Sequence, residues 1–422
     1  MTSFSGLFRI QNRYRGNEWE LNYGGGRQLS VINRRDFMRL AGMGAFNLNG
    51  VSSSGLFPKG AAPAGQTASA PRIRKYNGLG KTGLKVSDIG FGAINYFNPN
   101  VLRYAFDLGV NYFDTAEAYM RTMSETYLGQ TLKDVRHQVI LSSKHAASAP
   151  REMERNSLIQ RIEGSLKRLQ TDYLDIALIH QVSDPEVLRN EEVLAAYDQM
   201  KKDGKVRFTG FSTHVADVLL PPLLETPAFD IVLCVYNHME GPPLEPLIEK
   251  ARAEGIGMIA MKALAGNKQG SLRSLVNEKT KYSQTALGWI LANPHIDSCL
   301  ITMNTFSHVE EYVAASGRPI DRNVLGPLAR YRSEAGQAYC RVSCRSCLGA
   351  CPYGVAINDV LRYAMYFEDY HMEKNALELY EDLSPNRKPI HCDTCSAPCA
   401  GACTFGLPVR ERLLHAQRLL SA

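Results

Sequence analysis

No run of apolar residues in this chain approaches the roughly 20 needed to cross a bilayer, so no stable membrane span is expected. Cysteine is scarce over most of the length: only Cys234 and Cys299 precede residue 340. The bulk of the chain also lacks net charge. Residues 1–70 hold eight Lys/Arg against three Asp/Glu, which accounts for nearly all of the formal charge of +6. The remainder has no electrostatic footprint for nucleic acid, and no nucleic-acid partner is expected.

A complete nucleotide-phosphate loop is missing as well. The stretch GLGKTG places Gly78, Gly80 and Gly83 in the G-x-G-x-x-G pattern. Those glycines grip phosphate only where a strand turns into a helix. Here PAGQTASAPRIRKYN, a linker-like run, comes before, and LKVSDIGFGA, which alternates like a strand, follows. Lys75 stands where a P-loop needs its first glycine. The stretch reads instead as a glycine turn at the mouth of a short hairpin.

At 422 residues there is room for one large domain and a smaller one. Three parts are expected: residues 1–70, 71–320 and 321–422. The first contains NRRDFMRLAGMGAF from Asn33, which resembles a twin-arginine export signal, with Ala68-Ser69-Ala70 as a small-residue cleavage site. A disordered basic tail is the other reading. Export implies a periplasmic location; if the signal is unused, the chain stays in the cytoplasm.

From Lys85 to about Gly317, apolar runs of five to eight residues alternate with amphipathic helical stretches. The runs are VSDIGFGA, NYFDTA, VILSSK, YLDIALIH, VRFTGFS, DIVLCVYN, GMIAMKA and SCLITMN. Eight strands, each followed by a helix, predict an α/β fold of the (β/α)8 TIM-barrel type. A doubly wound open sheet would need a dinucleotide turn after its first strand, and none is present.

In such a barrel, chemistry gathers at the C-terminal ends of the strands. YFDTAEAY closes the second run with Asp114 and Tyr119, SSKH closes the third with Lys144, and LIHQ closes the fourth with His180. A phenol is a poor acid at neutral pH, and an adjacent ammonium makes it a better one. A carboxylate keeps the ammonium charged, and an imidazole orients a carbonyl oxygen. The four together suit protonation of an oxygen while hydride reaches its carbon.

These residues resemble the aldo-keto reductase family. The likeness runs over about residues 76–317, through LGKTGLKVSDIGFGA, VNYFDTAEAY, SLKRLQTDYLDIALIH, GKVRFTGFSTH, ALGWILANP and HVEEYVAA. It implies a catalytic tetrad of Asp114, Tyr119, Lys144 and His180, with Tyr119 as general acid, and hydride transfer between NADPH or NADH and a small carbonyl or alcohol substrate. It also implies that GLGKTG is the turn of a hairpin closing the bottom of the barrel. Cofactor contacts are implied at Ser212, Thr213, Met261, Lys262, Leu264, Gly266, Asn304 and Glu311. The chain departs from the family pattern in places. Thr213 replaces an Asn, Leu233 replaces a Gln, and Met261 replaces the aromatic that stacks on the nicotinamide, a role for which Tyr236 is the substitute. TMNTFSHVEEY lacks the basic pair that grips a 2′-phosphate, leaving His308 and Lys262. A non-catalytic barrel serving as an electron carrier or binding protein is the alternative.

The other eight cysteines form two runs, Cys340, Cys344, Cys347, Cys351 and Cys392, Cys395, Cys399, Cys403. With Pro352 after Cys351, they resemble a helical ferredoxin-like module with two 4Fe-4S clusters. That resemblance implies a crossed pairing: Cys340, Cys344 and Cys347 with Cys403, and Cys392, Cys395 and Cys399 with Cys351. Each run has one gap a residue longer than the ferredoxin spacing. Zinc on Cys344, Cys347, Cys392 and Cys395, or four disulfides in an exported chain, remain open. A cluster-bearing module implies an electron-transfer partner.

Overall fold

The computed structural model describes residues 12–15, 18–21, 71–96, 98–225, 228–265, 282–320, 326–335, 339–370 and 372–421. The chain divides into two compact units, Met1–Thr67 and Ala68–Ala422. In the first, β1 (Asn12–Arg15) and β2 (Glu18–Leu21) form an antiparallel hairpin whose register sets Arg13 against Glu20 and Tyr14 against Trp19. Four-residue strands leave too short an alternation to stand out in a sequence. The twin-arginine pair Arg34-Arg35 and the stretch Ala68-Ser69-Ala70 lie outside the described residues.

The second unit is built on eight parallel strands closed into a barrel in chain order. They are β5 (Ile89–Gly92), β6 (Tyr112–Asp114), β7 (Ile140–Ala146), β8 (Leu174–His180), β9 (Val206–Thr213), β10 (Ile231–Val235), β11 (Gly257–Met261) and β12 (Ser298–Ile301), and Cys299 of β12 pairs with Ile89 of β5 to close the ring. Eight helices follow them: α1 (Pro99–Asp107), α2 (Met123–Leu132), α3 (Arg155–Leu169), α4 (Glu191–Lys202), α5 (Ala216–Glu225), α6 (Glu245–Ala253), α7 (Tyr282–Leu291) and α8 (Phe306–Val313). Local sequence explains their limits. In α4, the Asn190 side chain accepts from Val193 N, two glutamates open the first turn and two lysines close the last, as the helix dipole favours. In α3, Leu158, Ile162, Leu166 and Leu169 recur on one face and are buried against the barrel.

Strand alternation sorts each strand into an inner and an outer set. Tyr112, Ile140, Ile176, Leu178, Ile231, Leu233, Ile259 and Leu300 form an inner cluster, while Phe113, Leu141, Ala177, Phe211, Val232 and Cys234 join the layer between strands and helices. A short hairpin, β3 (Tyr76–Gly78) and β4 (Lys85–Ser87), inserts Leu79, Leu84 and Val86 into the inner cluster and plugs the N-terminal end. GLGKTG is its turn. Lys81 N donates to Gly255 O at 2.8 Å, and Gly80 has φ of +51°. A Cβ at Gly80 would stand 2.4 Å from Gly255 O.

The cysteine-bearing tail belongs to the same compact unit. Its longer helices are α9 (Gly326–Ala335), α10 (Ile357–Tyr370), α11 (Glu373–Glu381) and α12 (Val409–Leu420). Its contacts with the barrel gather on loops and first helical turns that follow strands. Glu378 pairs with Arg121 after β6, Arg345 with Asp217 after β9 at 2.9 Å, Ser343 Oγ with Glu240 after β10 at 2.5 Å, and Tyr366 with Lys262 after β11 at 2.9 Å. Tyr331 of α9 stacks on Tyr282 with centroids 4.4 Å apart. The tail therefore sits over the C-terminal mouth, opposite the hairpin plug.

Gly80→Ala is expected to lower stability by about 2–4 kcal/mol, because a left-handed backbone and a backbone clash act together. Urea unfolding checks this, and an unchanged midpoint would show that the turn is free to move.

Candidate active site

Asp114, Lys144 and His180 share the inward parity of three neighbouring strands, which brings them to one arc of the mouth. Lys144 is 1% exposed. Its Nζ donates to Asp114 Oδ1 at 2.5 Å, to Thr115 O at 2.6 Å and to Tyr119 Oη at 3.3 Å. Ser142 Oγ donates to the other carboxylate oxygen of Asp114 at 2.5 Å. Burial works against the ammonium, but Asp114 and Tyr119 outweigh it, and Lys144 is held above its usual pKa. The His180 ring meets Tyr119 edge-on with centroids 5.5 Å apart. Burial first, then the charge of Lys144, keeps His180 well below its usual range, so the imidazole is neutral.

Tyr119 departs from expectation in one respect. The ammonium is adjacent, yet burial outweighs it and the phenol lies above the ordinary tyrosine value. Lys144 is shared with Asp114, whose own charge also pushes Tyr119 up. The arrangement therefore keeps the phenol protonated.

The mouth is a strained region. Of the eight described non-glycine residues with positive φ, six lie here: Met120, Arg121 and Thr122 directly after Tyr119, Gln181 directly after His180, and Lys262 and Ala265 after β11. Such conformations persist only where surroundings impose them. Arg121 is tied to Glu378 of α11, and Gln181 N donates to Ser212 Oγ at 2.8 Å.

Tyr119 and His180 line a cavity of about 520 Å³, a size suited to a small-molecule site. Its other wall comes from the tail: Tyr366 of α10, and Glu373, Asn375 and Glu378 of α11. These residues carried no signal in the sequence, where RYAMYFEDY reads only as an amphipathic helix.

The expected cofactor contacts divide. Ser212 and Met261 share the inward parity of their strands, and Met261 packs on the inner cluster. Thr213 has the outward parity, and its Oγ1 accepts from Val215 N at 2.9 Å. Tyr236 is a correction. It continues the outward set of Val232 and Cys234, is fully buried beside Trp289, and donates its hydroxyl to Glu245 at 3.0 Å. It cannot stack on a ring at the mouth. Lys262 is engaged with Tyr366, Leu264 O accepts from Tyr282 Oη at 3.1 Å, Asn304 is exposed, and Glu311 accepts from Ser283. Gly266 lies outside the described residues.

No disulfide joins any of the ten cysteines. Cys347, Cys344 and Cys403 lie near Cys340, whereas Cys351, Cys399 and Cys395 lie near Cys392, and Cys399 is also near Cys347. The second quartet lines one small cavity together with Pro352 and Arg410. The four cysteines considered for zinc are thus split between the two groups. Among the described residues, no three His, Cys, Asp or Glu side chains converge as a single metal ion requires. A cubane differs in that each sulfur meets its own iron, so the sulfurs stand farther apart.

A model of the Aldo/keto reductase family matches residues 89–283. L-galactose dehydrogenase of Arabidopsis thaliana is 32% identical over 278 residues, covering 56% of this chain and 86% of that protein. An uncharacterized oxidoreductase of Bacillus subtilis (strain 168) is 25% identical over 307 residues, covering 60% and 94%. Among solved structures, a thermostable aldo-keto reductase in complex with the inhibitor epalrestat superposes with a TM-score of 0.52 at 25% identity, covering 62% of this chain and 99% of that one. The holo form of an aldo-keto reductase from Bacillus halodurans shares the fold, with a TM-score of 0.52 at 21% identity over 61% and 95%.

Lys144→Met leaves Asp114 buried without its counter-charge and is expected to destabilise the protein by about 3–5 kcal/mol. Adding Asp114→Leu should restore much of the loss. A double-mutant cycle in urea checks this, and equal losses in the single and double variants would show that the pair is not the cause.

Proposed function

Because the chain belongs to the aldo/keto reductase family and is an NAD(P)H-dependent oxidoreductase, we propose that it reduces a small carbonyl compound to an alcohol, with Tyr119 as proton donor and with electron transfer through two iron–sulfur clusters. The observation that carries the reading is the ammonium of Lys144, bound at once to Asp114, Thr115 O and Tyr119 beside a neutral imidazole. The mouth cavity fits a nicotinamide in that a protonated phenol and His180 face one space of suitable size. Ser212 and Met261 are the described residues whose parity would let them hold it. When bound, it supplies the hydride. His180 donates a hydrogen bond to the carbonyl oxygen, Tyr119 passes its proton to that oxygen, and Lys144 offsets the charge left on the phenolate.

The crossed quartets fit two clusters by their donor chemistry. Cys340, Cys344, Cys347 and Cys403 would hold one, and Cys351, Cys392, Cys395 and Cys399 the other. Each would supply one-electron transfer. The twin-arginine segment would carry the chain across a membrane already folded and loaded.

Tyr119→Phe is expected to lower kcat by about 10²–10⁴ with little change in KM. Since Tyr119 lies above the usual tyrosine value, carbonyl reduction should fall only in strongly alkaline solution as its proton is lost. Since His180 is depressed, no limb should appear between about pH 6 and 7, the range of a free histidine. A steady-state pH profile measures both, and a limb near neutrality that persists in Tyr119→Phe would assign the proton to another group.

Anaerobically purified protein should contain about eight irons and eight labile sulfides per chain. Cys351→Ser should remove about half of each. Zinc in place of iron would end the electron-transfer half of the proposal.

A further inference from the structure

A second phenol faces the cavity that Tyr119 lines. Tyr366 of α10 accepts a hydrogen bond from Lys262 Nζ at 2.9 Å, and that ammonium stands 5.2 Å from the ring centroid. The pattern repeats the pairing of Tyr119 with Lys144, at 3.3 Å and 4.5 Å. Both lysines leave the ends of barrel strands, β7 and β11, but one phenol belongs to the barrel and the other to the tail. Lys262 reaches Tyr366 from a left-handed backbone, with φ of +59°, a conformation retained only under constraint.

We propose that Tyr366 is a substrate-binding residue of the mouth cavity, and that the site therefore favours carbonyl compounds that carry a second oxygen, of which vicinal diketones are the simplest. The substrate class rests on the carbonyl reduction proposed above. Tyr119 serves the oxygen that is reduced. Tyr366 donates a hydrogen bond to the second oxygen and breaks no bond, so the reaction still consumes one reduced nicotinamide and one proton per carbonyl.

The surroundings of Tyr366 support this role. Burial opposes ionisation of its phenol, but Lys262 and Arg362 outweigh burial and hold it below the ordinary tyrosine value, with Asp359 acting the other way. Arg362 is itself paired with Asp359 at 2.7 Å, and Tyr370 stacks against Tyr366 at 5.8 Å. Charge on Tyr366 raises Tyr119, so the two phenols are electrostatically linked. A more acidic phenol is a stronger hydrogen-bond donor, and a substrate that leaves it unpaired loses that contact.

Diacetyl and butanone, with NADPH and with NADH, test the inference in the wild type and in Tyr366→Phe. The wild type should favour diacetyl in kcat/KM by about tenfold or more. Tyr366→Phe should erase about tenfold of that preference, through the KM for diacetyl. If the substitution changes both ketones alike, or neither, the inference is overturned. Ultraviolet phenolate titration supplies a readout independent of turnover. Tyr366→Phe should remove the lowest-titrating phenol, and Lys262→Met should move it upward. If the wild type reduces neither ketone, yet diacetyl and not butanone shifts that phenol, the hydride-transfer reading fails while the oxygen-binding role stands. If both ketones turn over and no low-titrating phenol is found, the oxygen-binding role fails while hydride transfer stands.

Discussion

The cation of Lys144 has to be satisfied inside the protein, and the site is organised around that requirement. A buried ammonium without partners is penalised by several kcal/mol. Here three acceptors meet it: Asp114 at the end of β6, the carbonyl of Thr115 and the hydroxyl of Tyr119 in the loop beyond. Those acceptors lie on one strand and its loop while the lysine lies on the next, so the pairing exists only when β6 and β7 are in register. The left-handed run Met120–Thr122 shows how firmly the loop is held. A phenol placed by these constraints loses little motion when a carbonyl arrives.

The tail bears on the same place. Its contacts fall on loops and first helical turns that follow strands, and its helices α10 and α11 form one wall of the cavity. The cysteine-bearing region is thus joined to the barrel at the catalytic mouth rather than on its flank. Asn358, at the start of α10, donates to Cys344 O, and Tyr366 two turns later reaches Lys262. One helix thus touches both a cysteine quartet and the wall of the cavity.

The sequence was most informative where a residue's neighbours lie on the same strand. Alternation through Tyr112–Asp114, Ile140–Lys144 and Ile176–His180 sufficed to turn the rim groups inward. The same rule, applied to Val232, Cys234 and Tyr236, would have turned Tyr236 away from the mouth; its expected stacking role followed from the family resemblance. Gly80 announced a turn, though not that Gly255 presses on it. The acidity expected of Tyr119 failed because proximity of an ammonium was legible and depth of burial was not.

Eight alternating units, an inward rim of ionisable groups and two runs of cysteine were determined by local pattern, since periodicity and spacing are properties of the chain itself. The tertiary structure decided which cysteines are neighbours, that Tyr119 is buried enough to stay protonated, and that Tyr366 stands across the cavity from it. Each of these depends on residues far apart in the chain meeting at the barrel mouth. Electrostatic energies there are governed by distance and exclusion of water, which no local pattern encodes.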